Sequence, residues 1–173
     1  MTCLDEPYIR VVMPGPLGWL ALIGAGKVLK QLTIAHRSAR AAVRALDARL
    51  LEKATPGTWN EPLLRRLKDY AAGRPVDFGD VPIDPGRLTD LQRRVFDQCR
   101  QIPYGRTTTY GRLAAAAGSP RAARAVGNCL AANRFALIVP CHRVVAADGR
   151  LGGFSAPGGP RTKRRLLLLE SQQ

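Results

Sequence analysis

The chain has 173 residues with 27 Lys and Arg against 13 Asp and Glu, a net charge of +14 at neutral pH. It is long enough for two small domains, and no run approaches the roughly 18 apolar residues of a membrane span, so no membrane partner is expected. Cys3, Cys99, Cys129 and Cys141 are scattered without a Cys-x-x-Cys and are joined by only His36 and His142, which argues against a disulfide framework and against a metal site. Free thiols fit a reducing compartment, and the acidic opening Met1-Thr2-Cys3-Leu4-Asp5-Glu6 lacks the pattern of a secretory signal. The expected location is the cytoplasm.

The first half reads as a small α/β unit. Tyr8–Val12, Gly18–Ile23 and Val28–Ile34 are β-like runs separated by Pro14-Gly15-Pro16 and Gly24-Ala25-Gly26, which predicts an antiparallel meander. Ser38 is a cap for one helix with Ala42, Val43, Leu46 and Leu50 on a single stripe. Asn60 opens another through Leu63, Leu64, Leu67 and Tyr70, closed by Gly73. From Gly73 to Gly86 the chain is rich in Pro, Gly and Asp, a linker that places the domain boundary near Pro85-Gly86, with a supporting domain over 1–85 and a second domain over 86–173.

The second half opens on Thr89-Asp90-Leu91-Gln92, a capping-box pattern, and a helix with Leu91, Val95, Phe96 and Cys99 inward. Pro103-Tyr104-Gly105 ends it. Thr108-Thr109 precede a short helix from Tyr110 to Ala117. Gly118 closes that helix, Ser119 caps the next and Pro120 takes its first position, predicting a helix from Arg121 to about Ala132. Two short helices across a tight Gly-containing turn of about three residues make a helix-turn-helix. The second is rich in small residues, which pack tightly against a neighbour or let a helix approach a DNA groove; Arg121 and Arg124 favour the groove. Residues 91–173 carry 14 Lys and Arg against Asp97, Asp148 and Glu170, a net of +11, so a polyanionic partner is expected.

Cys141 stands in Ile138-Val139-Pro140-Cys141-His142-Arg143-Val144. Free cysteines are often simply buried, and neighbours on a strand face opposite ways. Pro140, however, bars a regular ladder, placing Cys141 and His142 on a turn leaving a short strand. A thiol beside a base is the arrangement that populates a thiolate nucleophile.

With Tyr110, Arg124-Ala125-Val126-Gly127, Asn133, Pro140-Cys141-His142-Arg143-Val144 and Gly152-Gly153-Phe154-Ser155 in this order, the chain resembles the O6-alkylguanine-DNA alkyltransferases, also called methylated-DNA–protein-cysteine methyltransferases. The resemblance is strong over about residues 90–170 and weaker before, where Leu17-Gly18-Trp19-Leu20-Ala21-Leu22 is similar to the family's early hairpin. It implies a ribonuclease H-like α/β domain with a small antiparallel sheet, followed by a mainly α domain carrying a winged helix-turn-helix. It implies irreversible single-turnover repair, in which an alkyl group passes from guanine O6 in double-stranded DNA to Cys141 without a cofactor; O4-alkylthymine is a second candidate lesion. His142 would take the thiol proton and Glu170 would orient His142 through water, with Asn133 a further catalytic residue. Tyr110 would donate to N3, Ser155 toward O6, and the carbonyls of Cys141 and Val144 would accept from the exocyclic amine, with Phe154 and Lys163 completing the pocket. Arg124 would fill the gap left by a flipped base, while Arg121, Ala125, Gly127 and Leu130 meet the minor groove. The expected state is a monomer that could assemble cooperatively on DNA.

Arg134-Phe135 stands where the family usually places proline after Asn133, a change that would loosen the following hinge or add a phosphate contact. The loop Ser155–Pro160 is unusually rich in Pro and Gly. Two other classes compete: a DNA-binding module without chemistry, and a cysteine hydrolase using the Cys-His-acid trio. The first leaves Cys141, His142 and Glu170 without a purpose, the second the arginines and the helix-turn-helix.

Overall fold

Punctuation by Pro and Gly turns the three β-like runs into hairpins. In the computed structural model, which describes residues 6–171, β1 (Tyr8–Met13), β2 (Trp19–Ala25) and β3 (Val28–His36) form the antiparallel meander. A fourth strand, β4 (Ala54–Pro56), runs parallel to β1, so the order is β3-β2-β1-β4 and the sheet is mixed, not wholly antiparallel. Three residues ending in proline are too short to show alternation, which is why the sequence hides this strand. β2 lies between two partners and is buried from Leu20 to Ala25. A Cβ at Gly24 would fall 2.1 Å from the Trp59 ring, so glycine there lets the indole lie against the strand. The Trp59 indole N–H then donates to the Gly26 carbonyl at 2.7 Å.

The single helix expected after Ser38 is two helices, α1 (Ala39–Arg44) and α2 (Ala48–Lys53). The break has a local cause and a tertiary one. Asp47 caps α2, its carboxylate accepting from the Arg49 and Leu50 amides. Gln31, buried on β3, donates to the Ala45 carbonyl at 3.2 Å and accepts from the Asp47 amide at 2.8 Å, satisfying the chain where helical bonding lapses. Ala42 and Leu46 still reach the core, with Ala21 and Ile23 of the sheet. Asn60 and Gly73 bound α3 (Glu61–Ala71), which buries Leu63, Leu64, Leu67 and Tyr70 as its spacing predicts.

Among the described residues the chain divides into two compact units. One comprises residues up to Arg74 with Val81–Pro85, the other Pro75–Asp80 with residues from Gly86 onward. A single cut at Pro85-Gly86 therefore misplaces 75–80. Arg100 ties this segment to the second unit through the Phe78 and Gly79 carbonyls, at 3.4 and 2.8 Å, and Phe78 is buried. Residues 82–84 stay with the first unit by pairing with Leu29.

The second unit is mainly helical: α4 (Asp90–Arg100), α5 (Tyr110–Ala116), α6 (Ala123–Ala131) and α7 (Pro160–Ser171), with a two-stranded parallel ribbon of β5 (Thr108–Thr109) and β6 (Val144–Val145). Both bonds of the Thr89–Gln92 capping box are present on α4. The expected cap at Ser119 is not. Its carbonyl accepts from the Ala122 amide, so Pro120 and Arg121 form a turn and α6 starts at Ala123 without a side-chain cap. The α5–α6 connection thus spans 117–122, longer than the tight turn expected.

Gln31→Leu removes both bonds that satisfy the α1–α2 break and strands two backbone groups. An expected loss of about 2–3 kcal/mol, read as a lower urea midpoint at unchanged slope, checks this.

Candidate active site

β5 and β6 build the site. Their parallel register sets Thr108 beside Val144 and Thr109 beside Val145, so Tyr110 leaves β5 at the end where Ala146 leaves β6, while the residues just before β6 enter at the opposite end. Those residues, Cys141–Arg143, form one 3-10 turn, in which the Arg143 amide donates to the Pro140 carbonyl at 2.9 Å. The nucleophile candidate therefore sits on a turn entering a strand, not one leaving it.

Asn133 pins this turn. Its amide nitrogen donates to the Val139 carbonyl at 2.9 Å and lies 3.2 Å from Cys141 Sγ, while its oxygen accepts from the Phe135 amide at 2.9 Å. Phe135 of the Arg134-Phe135 departure is buried, so its ring packs inside the unit beside this turn.

Behind the turn lies a buried cluster. His142, Arg143 and Glu170 are at most 6% exposed. Glu170 Oε1 meets His142 Nε2 at 2.8 Å and Arg143 Nη2 at 3.0 Å; Oε2 accepts from Arg143 Nε at 3.0 Å and the Gly105 amide at 3.0 Å. Arg143 Nη1 donates to the Ile102 carbonyl at 2.6 Å. The His142–Glu170 contact is direct, not bridged by water as expected. Burial alone would raise the Glu170 carboxyl, but the bonds from His142 and Arg143 outweigh it and hold the group down to about 2. An ionised carboxylate only accepts, so His142 Nε2 carries the proton and Nδ1 the lone pair. Burial pushes His142 below its ordinary value against the pull of Glu170. It likewise pushes the Cys141 thiol up, opposed by the Asn133 bond and the Lys163 charge.

Cys141 opens into a cavity of about 720 Å³. Tyr110, Arg124, Gly127, Leu130, Phe154 and Ser155 from the sequence reading share its lining. Gly152, with φ of +72°, is there because a Cβ would fall 2.7 Å from the Tyr110 hydroxyl. The lining does not include His142, Asn133, Glu170, Val144 or Lys163, which form the layer described behind it, nor Arg121 and Ala125. Lys163 is fully buried, and its ammonium donates to the Val144 carbonyl at 2.6 Å. In the first unit, His36 bonds Thr33 at 2.6 Å; Cys3 lies outside the described residues.

Comparison with known proteins bears on this geometry. Residues 90–172 match the family described as 6-O-methylguanine DNA methyltransferase, DNA binding domain. The methylated-DNA–protein-cysteine methyltransferase of Mycobacterium tuberculosis strain H37Rv is 40% identical over 158 residues, covering 91% of this chain and 89% of that protein. The chain belongs to the methylated-DNA–protein-cysteine methyltransferase family. The crystal structure of Mycobacterium tuberculosis OGT in complex with DNA is similar with a TM-score of 0.79 and 39% identity, over 93% of this chain and 92% of that one. The fold is shared with O6-methylguanine-DNA methyltransferase from the archaeon Pyrococcus kodakaraensis, at a TM-score of 0.72 and 22% identity over 94% of this chain and 99% of that one.

Within this methyltransferase site, sequence reasoning missed Arg143 and the small lining residues Gly111, Ala123, Ala131, Ala146, Ala147, Gly152 and Gly153. Arg143 did leave a signal. An arginine inside an apolar run must be buried with a carboxylate, and the second half offers three acids, of which Asp97 and Asp148 are exposed.

The two buried groups predict a two-stage acid response. His142 titrates below its ordinary 6.5 in the fold, so the unfolded chain takes up its proton first and stability falls as pH drops below about 6.5. Glu170 contributes stability that is complete above its ordinary 4.5 and is lost as pH falls toward about 2. Urea unfolding across pH 7.5 to 3 should show a decline that begins near 6.5 and steepens below 4.5; a flat profile down to 4 would contradict the cluster.

Proposed function

We propose that this chain repairs DNA by moving the alkyl group of O6-alkylguanine onto its own Cys141, once per molecule. The observation that carries the reading is Cys141 Sγ, hydrogen-bonded by Asn133 and opening into a cavity shared by Tyr110, Ser155 and Arg124. The likeness to a protein solved in complex with DNA supports the duplex as partner.

In the proposed step the thiol proton passes to the His142 side. Sulfur attacks the alkyl carbon, the carbon–O6 bond breaks, and its electrons enter the purine, which takes a proton from Tyr110 at N3; the proton given up by the thiol leaves His142 to solvent and solvent reprotonates Tyr110, so the proton count closes. The products are an S-alkyl cysteine and guanine. A thioether is a poor leaving group, so no second turnover follows. Ser155 at the cavity supports a donor toward O6. The Val144 carbonyl already accepts from Lys163, so it would meet the exocyclic amine with its second lone pair.

A base stacked in a duplex cannot reach a buried sulfur and must be rotated out, costing a few kcal/mol. Arg124 is exposed on α6 at the cavity and would enter the vacated stack, while Ala125, Gly127 and Leu130 of that helix, with Arg121 in the turn before it, would form a minor-groove face. α5 and α6 would act as the winged helix-turn-helix, and the first unit as a ribonuclease H-like support, a reading supported by its strand order. The lesion search would be largely independent of sequence, by a monomeric protein in the cytoplasm. O4-alkylthymine remains a second candidate lesion.

Cys141→Ala should abolish transfer from methylated duplex yet keep DNA affinity, because sulfur is acceptor and not anchor; intact-protein mass and fluorescence anisotropy read the two separately. Loss of both together would sink the assignment. Arg124→Ala should slow repair of duplex by roughly 10- to 100-fold, the rate equivalent of one to three kcal/mol, and leave reaction with free O6-alkylguanine base nearly unchanged. Equal losses would contradict its role in base extrusion.

A further inference from the structure

Four leucines in succession, Leu166 to Leu169, exceed what one side of a helix can bury. An α-helix turns about 100° per residue, so such a run spans most of its circumference. On α7 the inward side is taken by Lys163, Leu166 and Glu170, all buried. Leu168 is left 56% exposed, the one large hydrophobic side chain so placed among the described residues. The proposed transfer gives it no role.

Its neighbours complete a pattern. Arg161, Arg164, Arg165 and Leu168 stand at the i, i+3, i+4 and i+7 spacing of a single helical stripe, and all four are exposed. Among the described residues no carboxylate pairs with Arg161 or Arg164. The one acid of α7, Glu170, turns inward, where His142, Arg143 and Gly105 fill its oxygens. A concavity lies on each side of the stripe. One of about 380 Å³ is walled by the three arginines with Leu168 and Leu169. The other, of about 270 Å³, has Leu151, Leu167 and Leu168 in its wall beside Arg164, and the engaged Glu170 borders it, which suits an apolar side chain better than an anion.

Two classes of polyanion match this charge, and the leucine separates them. Phosphates would use the arginines alone, since a sugar–phosphate backbone offers nothing to an exposed isobutyl group. A protein segment with carboxylates and an apolar side chain uses the whole stripe: carboxylates meet guanidinium forks in bidentate pairs, and the apolar group leaves water against Leu168. The stripe also lies on the side of α7 opposite Lys163, whose ammonium reaches the Gly153 carbonyl of the cavity wall at 3.4 Å. The helix therefore turns it away from the proposed seat of the duplex.

We propose that the outer face of α7 docks an acidic protein segment that carries one large apolar side chain, its carboxylates on Arg161, Arg164 and Arg165 and its apolar group beside Leu168. Such a partner is held without filling the cavity. Docking and alkyl transfer are then separate tasks on the two sides of one helix.

The test uses the full chain and a set of short fluorescein-labelled peptides, each a run of aspartate or glutamate with one leucine, phenylalanine or tryptophan. Fluorescence anisotropy should show saturable binding, lost when serine replaces the apolar residue of the peptide. Leu168→Ser should weaken binding about tenfold, as expected when one leucine contact is removed. Arg164→Glu should weaken it by at least about as much. Both side chains are exposed, so the variants keep the fold, and both should accept alkyl groups from methylated duplex at the wild-type rate. Absence of saturation up to about 1 mM peptide overturns the proposal. So does binding that ignores Leu168→Ser and is displaced by unmethylated duplex, which marks the stripe as a nucleic-acid contact. A parallel loss of repair in the two variants overturns it as well, because the stripe would then belong to the seat of the duplex.

Discussion

The buried carboxylate of Glu170 joins three segments that lie far apart in the chain. The Gly105 amide comes from the loop after α4, His142 and Arg143 from the turn before β6, and Glu170 itself from the last turn of α7. Both oxygens are filled by donors. This matters energetically because an isolated buried charge is expensive, while removing one partner from a satisfied buried cluster typically costs about 3–5 kcal/mol. Three groups that each would be intolerable alone thereby become a rigid joint. Its chemical consequence is directional: with Nε2–H held on Glu170, the imidazole has one lone pair left, and the turn decides where it points.

The sulfur sits in the opposite situation. Glu170 is over-provided with donors, whereas Cys141 Sγ is held by Asn133 in surroundings that favour the neutral thiol. A resting thiol is a weak nucleophile and a weak target for oxidants, since both reactions need the thiolate. For a protein proposed to act once, such quiescence has value: an acceptor that reacted with any electrophile would be lost before meeting a lesion.

What was legible in the chain follows from how local each cause is. Asn60, Thr89 and Gly73 act within a few residues, and the helices they bound are where their spacing places them. The Pro140-Cys141-His142 run was readable as a candidate site for the same reason. The break at Ala45–Asp47 was not, because half of its cause is Gln31 on another element. Ser119-Pro120 looked like a helix start by every local rule, yet the Ser119 carbonyl closes a turn instead. Residues 75–80 were assigned to a linker by composition, which carries no information about Arg100 reaching them from α4. The role of Arg143 could have been found by counting charges, since an arginine in an apolar run with a scarcity of acids has few possible partners.

The excess of cations in the second half resolves into two populations with different physics. Arg121 and Arg124 are exposed on or just before α6, where their attraction for a polyanion is carried through water and weakened by salt. Arg143 and Lys163 are buried, and their interactions run through protein over a few ångströms, beyond the reach of mobile ions. Ionic strength would therefore act on the proposed encounter with DNA and hardly at all on the proposed chemistry at sulfur. A single number such as +14 conflates the two. Only burial separates the charges open to a polyanion from those that would act once a base has entered the cavity.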